Sequence, residues 1–265
     1  MITLDGKTLE EFELICEKQI TPMTPKISNK TISIPGRAGL YDFGTEINER
    51  EISFEMATIA DNKTALQYIL RKFTMFIFDQ YGKSRDIKLV FVNEPDKFYT
   101  VRCSDTIDAE RVYTTGKFKI TFSVYDPFAY NTIYSNELSW GSEEITFGST
   151  YLLGNKGTPG ETHITSRQSV MATVLGLAIK PIIEIVGSAT NLVISANGYI
   201  VNVGTFTDNS WIINCEKYTV QKNGNNSFGT VKLREFFLVQ GDNEIVINAD
   251  LVDITFRLRY RDKYL

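Results

Sequence analysis

A single histidine stands in 265 residues, so catalysis by a Ser-His-Asp or Cys-His relay would have to run through it. It is His163, flanked by Thr162 and Ile164 in turn-rich sequence, with no G-x-S-x-G nucleophile elbow in the chain. The plain reading is a surface loop histidine. Three cysteines, Cys16, Cys103 and Cys215, are far apart, odd in number and free of C-x-x-C spacing. They predict free thiols, neither a disulfide framework nor a metal cluster. Gly154, Gly157 and Gly160 recur every third residue, but no dinucleotide fingerprint or phosphate-binding loop is present. Calcium loops of the EF-hand type are absent as well. The residues therefore predict no catalytic group, no cofactor and no metal site, and the protein is expected not to be an enzyme. Trp211, with Trp140 and the many tyrosines, could stack on a sugar. The competing reading is a core aromatic that buries a large area.

Composition narrows the partners. Lys and Arg number 28 against 32 Asp and Glu, a net charge of −4. A protein that grips phosphates wants a basic face, and no basic run here exceeds Arg71-Lys72, so direct nucleic-acid binding is not expected. The most apolar window, Val170 to Val186, is broken by Lys180, Pro181 and Glu184, which predicts no membrane insertion. Met1 to Lys7 has no secretory pattern, and synthesis in a cytoplasm is the expectation.

The elements that would carry any function are mostly strands. Phe118, Ile120, Phe122 and Val124 alternate with Lys119, Thr121 and Ser123, the period of a strand with one buried face. That strand stops at Asp126-Pro127, where proline ends the ladder. It predicts the end of a first domain over residues 1–130, with a second over 131–265. Thr31 to Ile34 and Arg50 to Met56 alternate similarly, and Pro35-Gly36 signals a turn into a glycine-punctuated loop, Gly36 to Gly44. Leu66, Ile69, Leu70 and Phe73 follow helical spacing behind the capping candidates Asp61 and Asn62. They predict one helix near 62–79. In the second half, Leu192 to Ala196 and Tyr199 to Val203 flank Asn197-Gly198, a strong hairpin signal. Val252, Ile254, Phe256, Leu258 and Tyr260 alternate as a final strand. The fold class is thus mainly β: an N-terminal β-sandwich-like domain with one helix, followed by a C-terminal antiparallel β-sandwich. Between them, residues 148–178 read as a long excursion, loop-like at first and apolar without a clear period from Val170 to Ile179.

In their order and spacing these segments resemble the distal tail proteins of long-tailed bacteriophages and related prophages. The resemblance rests on Ile32-Ser33-Ile34-Pro35-Gly36-Arg37-Ala38-Gly39, Arg50 to Phe54 with the helix after it, Glu94 to Tyr99, and Tyr125-Asp126-Pro127-Phe128-Ala129-Tyr130. Pro181 to Gly187, Gly241 to Ile245 and the ending Arg259 to Leu265 extend it through the second half. It implies a first (belt) domain that builds a hexameric ring around the tail channel, and a second sandwich similar to galectins or carbohydrate-binding modules. It also implies a virion tail-tip hub, assembled from chains made in the bacterial cytoplasm. The hub would join the tail tube protein to a tail-associated fibre or lysin protein and to receptor-binding proteins, with a cell-wall glycan as a further candidate partner. Within that frame Arg37, Leu40 and Tyr41 are candidate assembly contacts, the bland alternative being an ordinary glycine-rich turn. Trp211 is the candidate for sugar stacking. The alternative function is a carbohydrate-binding module of a cell-surface adhesin.

Overall fold

The computed structural model describes residues 2–137 and 160–265. The chain is mainly β, with one α-helix among the described residues, and its backbone contacts divide it into Met1–Ala129 with Leu265, and Tyr130–Tyr264.

The first unit contains β1 (Ile2–Leu4), β2 (Lys7–Thr8), β3 (Ile15–Ile20), β4 (Ile27–Ile32), β5 (Tyr41–Ile47), β6 (Arg50–Ile59), α1 (Lys63–Ile77), β7 (Ile87–Phe91), β8 (Glu94–Cys103), β9 (Ala109–Val112) and β10 (Thr115–Val124). Its sheet runs in the order β2-β1-β7-β8-β10-β6-β3, with β9 also on β10. The spine is the β6–β10 ladder. Ten residues of each strand pair without a register shift, from Thr115 opposite Ile59 to Val124 opposite Arg50. Alternation along both strands buries Ile52, Phe54, Met56, Phe118, Ile120 and Phe122. Helix α1 starts where expected: the Asn62 side chain accepts the Ala65 N–H at 2.9 Å, a side-chain cap for an otherwise orphaned donor. Its apolar stripe, Leu66, Ile69, Leu70, Phe73 and Ile77, is buried, with Phe73 against Phe118 and Phe12 at ring-centre distances of 5.7 and 5.5 Å. Two strands stand outside this sheet. β4 and β5 pair only with each other. The expected loop from Gly36 to Gly44 is therefore shorter, because its last four residues already belong to β5.

The second unit, which β11 (Ala129–Asn131) leads into, holds β12 (Thr162–Ile164), β13 (Gln168–Val174), β14 (Ile182–Ala196), β15 (Tyr199–Asn214), β16 (Thr219–Lys222), β17 (Asn225–Asn226), β18 (Lys232–Leu233), β19 (Gly241–Asn248), β20 (Leu251–Arg259) and β21 (Lys263–Tyr264). The β14–β15 hairpin organises it. The Asn197-Gly198 turn has positive φ at both residues (53° and 81°), as a two-residue hairpin connection of this kind requires, and joins Ala196 to its partner Tyr199. The first part of β14 pairs with β20 and its end pairs with β19, so one strand serves two neighbours. Register shifts between Gly187 and Val193 allow that change. The expected excursion needs correction. Its residues up to 159 lie outside those described, but Thr162–Ile164 pairs with β20 and Gln168–Val174 pairs with β19 along seven residues. The apolar stretch is a strand whose period is hidden because Met171, on the exposed face, is itself apolar.

Asp262 ties the end of this unit together. It is buried, its Oδ1 accepts the Leu175 N–H at 2.9 Å, and its Oδ2 accepts the Asn131 amide at 3.1 Å. Burial pushes its carboxyl above the ordinary value of 3.8, and these N–H donors only partly offset the rise. A folded carboxyl that binds its proton more tightly than the unfolded one costs stability once the pH passes its unfolded value. Asp262→Asn should therefore gain on the parent as pH rises from about 3 through the carboxylate range. Urea titrations of both proteins over that range test this; parallel pH dependences would contradict it.

Gly187 supplies a second expectation. Its φ is +133°, and a Cβ there would lie 2.3 Å from the Asp253 carbonyl oxygen. Gly198 has positive φ but open space around it. Gly198→Ala should cost about 1 kcal/mol, from backbone strain alone. Gly187→Ala should cost about 3 kcal/mol or more, since overlap with backbone is added. Chemical denaturation of the two variants measures the gap.

Candidate assembly interface

The β4–β5 hairpin is an arm without a core. At its base Asn48 N–H donates to the Lys26 carbonyl at 2.8 Å and Lys26 N–H to the Glu49 carbonyl at 3.1 Å. At its tip Arg37 N–H donates to the Ile34 carbonyl at 3.1 Å, closing a turn with Pro35 and Gly36 at its centre. Gly36 has φ +83°, which a type II turn needs at that position. Between base and tip almost every residue of both strands is exposed. A half-buried strand would hide every second side chain; this arm exposes Ile27, Ile32, Leu40, Tyr41, Phe43 and Ile47, with Phe43 at 67% and Leu40 at 65%.

The register distributes these groups over both faces. Ile27 is opposite Ile47, and Ile32 is opposite Tyr41, with one extra residue of β5 between the pairs. Strand alternation puts Ile27 and Ile32 on opposite faces, so each face carries an apolar pair, one near the base and one near the tip. Gly44, at φ +98°, takes up the irregularity, and its N–H is held by Asp42 Oδ1 at 2.9 Å. The arm also orders its own surface. Arg37 lies over the Tyr41 ring at 3.9 Å, Thr45 bonds Asn29 at 3.1 Å, and Lys30 pairs with Glu46 at 3.0 Å. Thus Arg37 and Tyr41 come together as a stacked pair, with Leu40 beside them in sequence. Sequence reasoning missed Phe43, Ile27 and Ile47. The signal available was an apolar count on both sides of a proline-glycine turn.

The other candidates fare differently. Trp211 is 3% exposed, set edge-on against Phe206 at 5.7 Å with the Lys222 ammonium 5.2 Å from its ring. So buried a ring is not available to stack on a sugar, contrary to the expectation for Trp211. Trp140 lies outside the described residues. His163 is exposed as expected but sits in strand β12, opposite Thr255, with Nε2 2.8 Å from Asp253 Oδ1. Burial pushes the Cys16 and Cys103 thiols up, and that of Cys215 up to about 12, so all three are protonated at neutral pH. Among the described residues no group of three potential ligands could hold a metal ion, and no helix is long and apolar enough to cross a membrane.

Comparison with known proteins follows the same division of the chain. Residues 7–124 match the family described as phage tail protein RIFT-related domain. The whole chain shares its fold with the crystal structure of the Dit (gp 19.1) protein of SPP1, described as a paradigm of hub adsorption apparatus in phages infecting Gram-positive hosts. That alignment has a TM-score of 0.72 at 16% identity and covers 100% of this chain and 98% of that one. Two structures of the phage P2 baseplate in its activated conformation, with Ca and with Sr, each align at a TM-score of 0.41 and 12% identity over 96% of this chain and 92% of theirs. No curated protein matches the sequence.

An arm that packs on nothing should tolerate polar substitution. Leu40→Ser with Phe43→Ser should change the stability of the dilute protein by no more than about 0.5 kcal/mol. Phe54→Ala, in the buried face of β6, should cost about 3–5 kcal/mol. Urea midpoints at low protein concentration distinguish the two; a large loss from the arm variant would mean that the arm is part of a core.

Proposed function

We propose that this chain, whose residues 7–124 match the phage tail protein RIFT-related domain, is the structural hub of a long-tailed phage's tail tip. Copies join through the first unit as a homo-hexameric ring in the virion, after synthesis in the bacterial cytoplasm. The ring connects the tail tube protein to the tail-associated fibre or lysin protein and to receptor-binding proteins. The role is architectural and involves no chemistry.

The observation that carries this reading is the self-paired arm. Large apolar side chains left exposed on both faces of one element favour an interaction surface, since water leaves them unfavourably hydrated. Ring closure needs heterologous contacts, in which each copy uses two different surfaces. A projecting arm on one side of a subunit suits that geometry. The family match over residues 7–124 covers the unit that bears the arm, and the shared fold with the SPP1 hub protein extends over the full chain. The carbohydrate-binding reading lost its main residue when Trp211 proved to be buried.

Native mass spectrometry over a concentration series tests the reading. The intact protein should populate a hexamer. Replacing residues 27–47 by a short Gly-Ser linker should leave a folded monomer at every concentration. A parent that stays monomeric, and that is present in isolated tail tips at other than six copies per ring layer, would overturn the proposal.

A further inference from the structure

The first unit also carries a groove that matches the arm. It lies between α1 and the segment that runs from the end of β8 to β9, with a volume of about 540 Å³. Leu70, Phe73, Phe78, Ile107 and Phe118 supply an apolar lining, and Arg71, Arg111 and Asp105 stand among its polar residues. A second hollow of about 660 Å³ shares Thr74 and Phe78 with it and adds Met75, which is 79% exposed. The apolar surface thus continues along the end of the helix. Such a cleft falls within the size range of sites that enclose a ligand group or an anchoring side chain.

We infer that this groove receives the β4–β5 arm of a neighbouring copy, with Phe43 as the anchor. The inference rests on the ring reading above and deepens it by naming the two surfaces. In its own copy Phe43 and Leu40 are exposed, so the arm does not fill the groove of the chain that bears it. A Phe side chain buries a large apolar area when it enters a cleft, and its ring suits a lining that already contains Phe73, Phe78 and Phe118. Charges agree with the pairing. The arm presents Asp42 next to Phe43 and Arg37 over Tyr41, while the groove presents Arg71 and Arg111 with Asp105. Arg111 is already oriented by Gln67, its Nη1 donating to Oε1 at 2.8 Å. Opposite charges at the rim of an apolar contact set its register and steer encounter more than they add affinity. One copy then offers arm and groove together, the two unlike surfaces that head-to-tail closure requires.

The test places a photo-crosslinking benzoyl-phenylalanine at position 43 of the full-length protein and maps the products by peptide mass spectrometry. Expected are intermolecular links to α1 residues 67–78 or to 103–111. A charge-reversal cycle is the second arm. Arg71→Glu and Asp42→Lys should each weaken self-association about 5-fold, and the double variant should recover most of the loss. Phe43→Ala should weaken it about 30-fold. A hexamer whose links fall elsewhere would overturn the groove assignment and leave the ring reading standing. Absence of any intermolecular link at the highest attainable concentration would overturn the assignment too, and copy number in isolated tail tips would then judge the ring separately.

Discussion

The β6–β10 ladder is the constraint on which the first unit depends. Ten paired residues without a slip fix which side chains face α1 and which face away. A shift of one residue would turn Phe54 and Phe118 out of the core and bring Glu55 and Lys119 in. The ladder also fixes the arm. β6 begins three residues after β5 ends, and its other edge is paired with β3, the strand that precedes β4. Both roots of the arm therefore emerge from neighbouring strands of one sheet. Arg50, at the start of β6, is buried and donates to the Tyr99 hydroxyl at 3.1 Å, which ties the root to β8 as well. An arm rooted in this way is held in a defined direction although nothing packs along its length, and a preset direction lowers the ordering cost of docking.

The second unit solves a related problem by a different device. Its long hairpin strands are bent at Gly187 and the following irregularities, so that one strand borders two neighbours and a single core gathers Ile183, Ile185, Leu192, Ile194, Phe206, Trp211 and Phe256. Here the apolar groups are covered within the chain. The contrast is informative. The same chain buries nearly all large side chains of one β-hairpin, β14–β15, on its inward face and leaves another, β4–β5, bare on both. Poor folding propensity does not account for the bare one, since its turn, its cross-strand bonds and its ion pair are all in place. That bare surface is what the proposed contact with a neighbouring copy would use.

Legibility from sequence followed how local each signal was. Helix α1 was readable because spacing and cap lie within one segment, and the observed Lys63–Ile77 departs from the expected limits by a residue or two at each end. The Asn197-Gly198 turn was readable because few residues tolerate its backbone angles. The strand at Val170 was not, because Met171 put an apolar residue on the exposed face and erased the alternation. Trp211 shows the limit for sites: its strand was evident, yet which face looks inward depends on pairing with β14 and β16, and no residue near it in sequence carries that information. The arm illustrates the same limit in reverse. Thr31 to Ile34 alternates as a half-buried strand does, and only its lack of a sheet to lie on makes it exposed.

That lack bears on how a groove and an arm can share one small unit. If the arm met a surface identical to itself, two copies would pair face to face and assembly would end at a dimer. Arm and groove are unlike surfaces, so two copies could also dock reciprocally, each arm in the other's groove, unless the direction of the arm forbids it. In the proposed ring each docking leaves one free arm and one free groove, and the direction set by the β3 and β6 roots decides among a reciprocal pair, a closed ring and a filament. In the proposed ring the sheet that builds the core would then also set the number of subunits. On that reading substitutions in the ladder far from any contact would change ring size without touching the interface, whereas substitutions at Phe43 would change only how tightly the proposed ring is held.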